Sequence, residues 1–323
     1  MDMTPLAVSP AATDRRTLVG IGCGVAAGAL WGLVFLMPEL ARGFTPLQLA
    51  VGRFLAYGLF AAALLVPRWR VLSSRLGRRD WWTLCRLSLL GNTLYYVLLA
   101  SAVQRGGIAM TSLVIGFLPV AVTVIGSREQ HAVALRRLAP SLLCGLVGIA
   151  CIAWQSLGGD APGGGLAGLL CAVGALASWT CYAVGNSRQL ARLPQVSVQD
   201  WNLATGVVTG AQALLLLPLA LLTDSATHAA AEWWRLAAVV TGVALAASIA
   251  GNAFWNRMSR LLPLTMVGQM ILFETLFALL YGFLWEQRLP TRWELLAMGC
   301  VVASVLLCVH AHRPRRAIEP HPQ

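Results

Sequence analysis

The chain has 323 residues, of which 58% are hydrophobic and only 11% are charged, and its mean hydropathy is +0.70. Soluble domains usually carry about 25% charged residues, so this composition excludes a water-soluble enzyme, a nucleic-acid-binding protein and a disordered chain. The net charge is +11, and all 24 basic residues are Arg. In a membrane protein such an excess is typical of cytoplasmic loops.

Apolar runs bounded by Arg, Pro or Gly clusters predict an all-α membrane protein, since a spanning helix needs roughly 20 apolar residues. The first run is longer than the apolar core of a signal peptide, and more runs follow it, so we interpret it as a retained helix. Ten transmembrane helices are predicted, at 17–37, 46–66, 83–103, 108–127, 138–154, 165–186, 202–222, 235–255, 264–284 and 294–310.

The distribution of Arg predicts the orientation of these spans. With the N-terminus inside, 17 Arg lie on the inner side, five lie on the outer side, and Arg53 and Arg86 lie within spans. This bias favours cytoplasmic termini and an even number of helices.

Two halves of the chain resemble each other in the same order along corresponding spans. The similar segments are Gly28–Trp31 with Gly174–Trp179, Gly91-Asn92 with Gly251-Asn252, and Glu129-Gln130 with Glu286-Gln287. Five spans per half insert the second half in the opposite sense, which gives the inverted repeat common in secondary transporters. The predicted segments are a cytoplasmic N-terminal segment 1–16, a first five-helix repeat 17–154, an outside loop 155–164, a second five-helix repeat 165–310 and a cytoplasmic tail 311–323.

Two charged residues lie inside the predicted spans, where charge is costly and usually marks function. Glu274 is ten residues from either end of the ninth span, about 15 Å deep. It is predicted to bind a substrate amine or a coupling proton; the alternative is a neutral acid in a structural hydrogen bond. Arg53 is predicted to be a gating or structural charge, and a fixed charge for a substrate carboxylate is the other interpretation.

Polar and aromatic residues at similar depth are the other candidates for a substrate cavity. Amides both donate and accept hydrogen bonds, which suits a zwitterion, and aromatic rings offer apolar walls or hold a cation. The alternatives are hydrogen bonds between helices and interfacial belts. Pro119 is a hinge candidate, or else a static kink. The cavity candidates are Trp31, Asn92, Tyr95, Tyr96, Trp179, Tyr182, Asn186, Asn252, Trp255, Asn256 and Gln269.

No catalytic or cofactor-binding pattern is present in the sequence. The eight Cys form no Cys-x-x-Cys pair, which gives no indication of a zinc site. Lys is absent, so a phosphate-binding loop with its Lys is excluded. We therefore predict no catalytic residues, no metal and no cofactor.

Six short motifs lie at corresponding places in the predicted spans: Trp31-Gly32, Pro46-Leu47, Arg53-Phe54, Ser101-Ala102, Pro119-Val120 and Gly145 with Gly148. With these motifs, the chain resembles the drug/metabolite transporter superfamily, specifically its EamA-type members, over roughly residues 17–310. The chain departs from the usual pattern at Ser127–Gln130, where a Gly-Glu-Arg turn is common. The fourth span of the second half also lacks the expected proline and has Glu274 nearby.

Within this superfamily, Trp179–Val184 followed by Asn186 resembles the sixth span of the YddG-type amino-acid exporters. That resemblance implies an exporter of aromatic and other amino acids, with ten helices and a central cavity lined by spans 1, 3, 4, 6, 8 and 9.

The sequence thus predicts a secondary transporter that exports small metabolites, with amino acids as the leading cargo, across the bacterial inner membrane by alternating access. Its expected partners are a small-molecule substrate and the lipid bilayer, with protons as a candidate coupling ion and no nucleic acid. One alternative keeps the fold and carries drugs, vitamins or nucleotide-type metabolites. Another class of alternative is a channel or an intramembrane enzyme.

Overall fold

The computed structural model describes residues 10–126, 135–157, 165–223, 226–261 and 264–311, and all of the regular secondary structure among them is helical. A 3-10 turn at Val66–Arg68 and π-helical segments at Leu89–Thr93 and Ala244–Gly251 join some of the helices. The α-helices are α1 (Pro10–Leu40), α2 (Pro46–Leu65), α3 (Trp69–Arg75), α4 (Arg78–Ser88), α5 (Leu94–Ile115), α6 (Leu118–Gly126), α7 (Leu135–Leu157), α8 (Gly165–Arg192), α9 (Val198–Leu222), α10 (Ala230–Val243), α11 (Asn252–Leu261), α12 (Leu264–Glu286) and α13 (Arg292–Ala311).

Seven helical stretches among the described residues are long and apolar enough to cross a bilayer. The all-helical membrane class is thus confirmed, whereas the count of ten spans stays a prediction. The stretches are Thr17–Leu40, Pro46–Arg75, Arg78–Ile115, Arg136–Gln155, Gly165–Arg192, Val198–Leu222 and Ala230–Ser259.

The chain reverses direction at Gly107, inside the longest of these stretches. Gly107 has φ +81°, which favours glycine because it has no Cβ. Before the turn, Tyr95 is near enough to Glu274 to interact with it electrostatically, and a Cβ on Gly107 would lie 3.3 Å from Glu286 Oε1. After the turn, Ile108 packs at Gly282 and Gly116 packs at Thr275, so the order along α12 is inverted. The turn separates the predicted third and fourth spans.

Two predicted spans differ from the helices observed. The fourth span, 108–127, is interrupted between Ile115 and Leu118, and Pro119 occupies the first turn of α6. A helix tolerates Pro there because the missing N–H would have no partner within the helix. The eighth span, 235–255, extends over α10, the second π-helical segment and α11, from Ala230 to Leu261.

Equivalent helices of the two sequence halves pack against each other in opposite directions. Phe54 and Ala61 of α2 lie beside Gly210 and Gly206 of α9 respectively, so these two helices are antiparallel. The helices α7 and α13 are also antiparallel. Ser141 Oγ donates to Ser304 O at 2.7 Å, and Thr291 Oγ1 is 2.9 Å from Gln155 Oε1.

The helix ends define two faces of the bundle. We call the side where α1 begins and α13 ends the terminal face. There, Arg68 pairs with Asp200 at 3.0 Å, and Arg75 donates to Gln195 O at 2.6 Å, so the segments that follow α2 and α8 are joined. The opposite face carries the loops after α1, α9 and α12, together with Gly107. Ser127–Gln130, most of the predicted loop 155–164 and the tail from residue 312 lie outside the described residues.

Candidate substrate site

Arg53 of α2 lies in the interior of the bundle with few polar partners. Its Nη2 is 3.5 Å from Ser248 Oγ in the second π-helical segment, and its Cζ lies 4.6 Å from the ring centre of Tyr96 and 5.3 Å from that of Phe54. The Nε atom of Arg53 and the hydroxyl of Tyr96 are buried and have no hydrogen-bond partner among the residues described. A buried guanidinium therefore has donors to offer at the centre of the molecule.

Glu274 faces the same region from α12. It is partly accessible although it lies in the middle of its helix. It lies close enough to Arg53 to interact with it electrostatically, but no hydrogen bond or ion pair joins the two residues. Tyr95 is near enough to both Glu274 and Arg53 to interact electrostatically with each of them. The structure thus brings the two predicted intramembrane charges together without neutralising them in direct contact.

A cavity of about 690 Å³ enters the bundle from the terminal face between α2, α9 and α11. This volume lies within the ordinary range for small-molecule sites. Its deep end is formed by Tyr57 and Ser248, the second of which contacts Arg53. The other polar or aromatic lining residues are Gln199, Asn202, Asn252, Trp255, Asn256, Arg257 and Ser259.

The opposite face is covered by aromatic stacking between two loops. Phe44, after α1, stacks on His228 with ring centres 4.2 Å apart, and Trp233 contacts both rings edge-on. Gln104 Nε2 donates to Phe44 O at 2.9 Å, which fixes the first loop to α5 just before its reversal at Gly107. The cavity lining reaches the terminal face, whereas these rings close the opposite face where the two loops meet.

A second cluster on that face holds the loop between α12 and α13. Arg288 binds Glu286 at 2.6 Å and Glu294 at 2.7 Å. These bonds, chiefly the hydrogen bonds to Glu294, raise the pKa of the Arg288 guanidinium further above its ordinary value. Arg288 is therefore a permanent charge that ties the loop to the start of α13.

The EamA-like transporter family matches this chain twice, at residues 18–154 and at residues 166–309. The chain belongs to the EamA-like transporter family. The two matches confirm the internal repeat predicted from the sequence, and family membership indicates a transporter rather than an enzyme.

Individual relatives agree with this assignment. Inner membrane protein YtfF of Escherichia coli (strain K12) is 32% identical over 319 residues, which cover 90% of this chain and 95% of the relative. A solved crystal structure that is 21% identical covers 93% of this chain and 99% of its own length, with a TM-score of 0.59. The similarity to this crystal structure shows that the two proteins share a fold, and it shows nothing beyond the fold.

The two EamA copies each contain a π-helical segment beside the Gly-Asn pair that matches between the halves. In the first copy, Ser178 Oγ donates to Leu90 O at 2.7 Å; in the second, Trp31 Nε1 donates to Ala247 O at 3.0 Å. A π-helix shifts the backbone pairing by one residue, and here a side chain from the other copy bonds to a carbonyl of each segment. The two copies are thus joined at corresponding places.

The predicted amide residues of this EamA protein divide between the cavity and bonds between helices. Asn252 and Asn256 line the cavity, although Asn252 Nδ2 also donates to Ser248 O at 2.8 Å. Asn92 instead donates to Thr209 Oγ1 at 3.1 Å, and Asn186 accepts from Trp201 Nε1 at 2.7 Å. The last two therefore join neighbouring helices, which was the alternative interpretation.

The predicted aromatic residues also separate into two sets. Trp255 lines the cavity and packs on Trp31 with ring centres 5.0 Å apart. Trp179 and Tyr182 contact each other edge-on, and the ring of Tyr182 lies directly against Gly91 in the first π-helical segment. The side chain of Gln269 lies outside the described residues.

The described residues that line this cavity belong to α2 and α9 of the second and seventh spans and to the eighth span. The eighth span is one of the six that the resemblance implies around a central cavity, and that central cavity stays a prediction. Tyr57 and Ser248 were missed. Both carry a sequence signal, because Tyr57 lies four residues after Arg53, and Ser248, Asn252 and Asn256 repeat every four residues on one helix face.

Proposed function

We propose that this EamA-family protein is a secondary transporter of the inner membrane that exports small metabolites, with aromatic and other neutral amino acids as its cargo, by alternating access. The location agrees with that of YtfF, which is an inner membrane protein. The orientation with both termini in the cytoplasm comes from the Arg distribution. In that orientation, the terminal face is cytoplasmic.

The observation that carries the proposal is the one-sided cavity between the two EamA copies. Helix α2 belongs to the first copy, whereas α9 and α11 belong to the second. The cavity is open at the terminal face and covered at the opposite face by Phe44 and His228. A site between two copies, reached from one side at a time, is what alternating access requires.

The proposed ten-span inverted repeat is supported by the directions of equivalent helices. Helices α2 and α9 are the second of their copies, and α7 and α13 are the last, and each pair is antiparallel. The reversal at Gly107 adds a further crossing to the seven stretches identified by length and composition. Two copies with opposite insertion allow one to rock against the other around a fixed site.

The choice of amino acids as cargo is supported by the chemistry around the cavity. Amides and hydroxyls line its walls, and the lining residue Ser248 contacts Arg53, which interacts electrostatically with Glu274. Trp255 and Tyr57 provide flat apolar surface for a side chain. A zwitterion with an aromatic or aliphatic side chain would be complemented at each of its parts.

The direct test is counterflow in proteoliposomes across the twenty amino acids, with drugs, vitamins and nucleotides as competitors. We expect saturable uptake of labelled amino acid that preloaded amino acid stimulates. Saturation and counter-stimulation also separate a carrier from a channel. Transport of none of the twenty would contradict the proposed cargo.

Replacing Glu274 by Gln tests the role of that carboxylate. The amide keeps the size of the side chain, but it does not ionise and cannot take up or release a coupling proton. We therefore expect counterflow to fall at least tenfold and its pH dependence to flatten. Glu39→Gln is the matched control, because the Glu39 carboxylate is already bound by Arg42 at 2.8 Å on the opposite face. An unchanged rate and pH profile in the Glu274 variant would end the proposed role.

A further inference from the structure

The donors of Arg53 are the strongest unsatisfied polar groups in the part of the chain that the structure describes. Arg53 is 9% exposed and Tyr96 is fully buried, yet Arg53 Nε and Tyr96 Oη both lack a hydrogen-bond partner there. Buried polar groups are nearly always paired, and a buried charge without a partner is strongly unfavourable. An acceptor on a bound ligand would satisfy both groups.

The surroundings decide what kind of acceptor fits. The rings of Phe54 and Tyr96 lie against the guanidinium, and its hydrogen-bond partner among the described residues, Ser248 Oγ, is at the long distance of 3.5 Å. A guanidinium donates in its own plane and binds a carboxylate through two parallel hydrogen bonds. The hydroxyl of Tyr96 would add a third donor to the same anion.

The cavity extends close to this place. Tyr57 lies one helical turn from Arg53, and it forms the deep end of the cavity together with Ser248. Arg53 and Tyr96 are not among the lining residues, but a ligand at the deep end would lie next to Ser248, which contacts Arg53. Glu274 interacts with Arg53 electrostatically and makes no ion pair with it.

We infer that Arg53 and Tyr96 form a subsite for the anionic group of the cargo, which restricts the substrate to metabolites that carry a carboxylate. Arg53 is then a binding residue rather than a gating or structural charge. This inference rests on the proposed function in one respect: the ligand of the subsite is taken to be the transported molecule.

The test compares each of the twenty L-amino acids with its C-terminal carboxamide, using the purified full chain. Binding is followed by the ligand-induced rise in the midpoint of thermal unfolding, and transport by counterflow. Hydrogen bonds to charged groups imply that the acid binds about ten- to a hundredfold more tightly than the amide. In Arg53→Gln we expect that preference to disappear, whereas in Arg53→Lys part of it remains.

Two further variants keep the test decisive if Arg53→Gln folds poorly. Tyr96→Phe removes the hydroxyl and keeps the ring that lies against Arg53, so we expect little change in stability without ligand and a several-fold smaller preference for the acid. Tyr281→Phe is the matched control, since that hydroxyl already donates to Ala29 O at 3.1 Å between α12 and α1. Its preference for the acid should equal that of the wild type.

A double variant separates anion binding from simple neutralisation of Glu274. If Arg53 only balanced Glu274, Arg53→Gln with Glu274→Gln would regain the preference for the acid that Arg53→Gln loses; we expect no recovery. The subsite is refuted if amides bind as tightly as acids, or if no amino acid raises the unfolding midpoint. Binding that depends on Arg53 but is not accompanied by flux would support the subsite and contradict the proposed transport. Flux without a preference for the acid would support transport and contradict the subsite.

Discussion

Trp31 illustrates how a single side chain can serve packing where the sequence indicates a ligand site. Its position in the first span makes it a candidate for the cavity wall, but its indole Nε1 donates to Ala247 O and its ring packs on Trp255. The ring also lies so close to Gly251 that a Cβ there would be 2.7 Å from Nε1. Trp31 therefore fixes the π-helical segment beside the cavity.

We expect Trp31→Phe to lower the free energy of unfolding by about 1 kcal/mol, because a buried carbonyl loses its hydrogen bond while most apolar contact remains. The measurement is reversible unfolding of the purified protein in mixed micelles. Trp234→Phe is the control, since Trp234 is 76% exposed. Equal stability of the two variants would contradict the role of the indole N–H.

At the scale of elements, close approach of helices depends on small residues at a few crossings. The helices α2 and α9 meet at Gly58 and Gly210, where a Cβ on Gly58 would lie 2.6 Å from Gly210 Cα. A flexible side chain could move aside, but backbone in a packed helix cannot. Small residues at interfaces let membrane helices approach in this way, and this crossing joins the two EamA copies next to the cavity.

Gly58→Val should therefore destabilise the protein by about 1–3 kcal/mol, the usual cost of overpacking, and should lower counterflow in proportion to the folded fraction. Thermal unfolding of the purified variant measures the change. Gly242→Ala is the control, since nothing lies within 4 Å of a Cβ at Gly242. Its stability should stay the same or rise, because Ala favours helix over Gly. A tolerated valine at Gly58 would contradict this crossing.

At the scale of the whole molecule, closure of the opposite face is the counterpart of the open cavity. Phe44 follows α1 of the first copy, and His228 precedes α10 of the second, so their stacking joins the two copies across that face. Movement of one copy against the other would have to separate these rings. The stack is thus a suitable place to arrest the transport cycle.

Cross-linking Phe44→Cys to His228→Cys, in a chain whose eight natural cysteines are replaced, should reduce counterflow at least tenfold. A short, cleavable bifunctional thiol reagent joins the pair, and cleavage should restore flux. Ligand-induced stabilisation should persist, because the terminal face stays open. Each single variant treated with the same reagent is the control. Full flux in the cross-linked protein would show that this face does not open during transport.

The sequence by itself determined the membrane class, the internal repeat, the transporter family and two charges worth examining. These features can be predicted because each span must be apolar enough to lie in the bilayer, so the pattern is present in every span separately. The Gly-Asn pairs that match between the halves lie at the two places where the π-helical segments occur.

Only the tertiary structure decided which side chains meet. Arg53 and Ser248 are 195 residues apart in the chain, and Asn92 and Thr209 are 117 apart. Contacts of this kind depend on which helices pack together and how closely. The amino-acid composition of a span does not specify either of these. For that reason the sequence left open whether Asn92 and Asn186 line a cavity or join helices, and it did not single out Tyr57 and Ser248, whereas packing of the two copies placed the described open space between α2, α9 and α11.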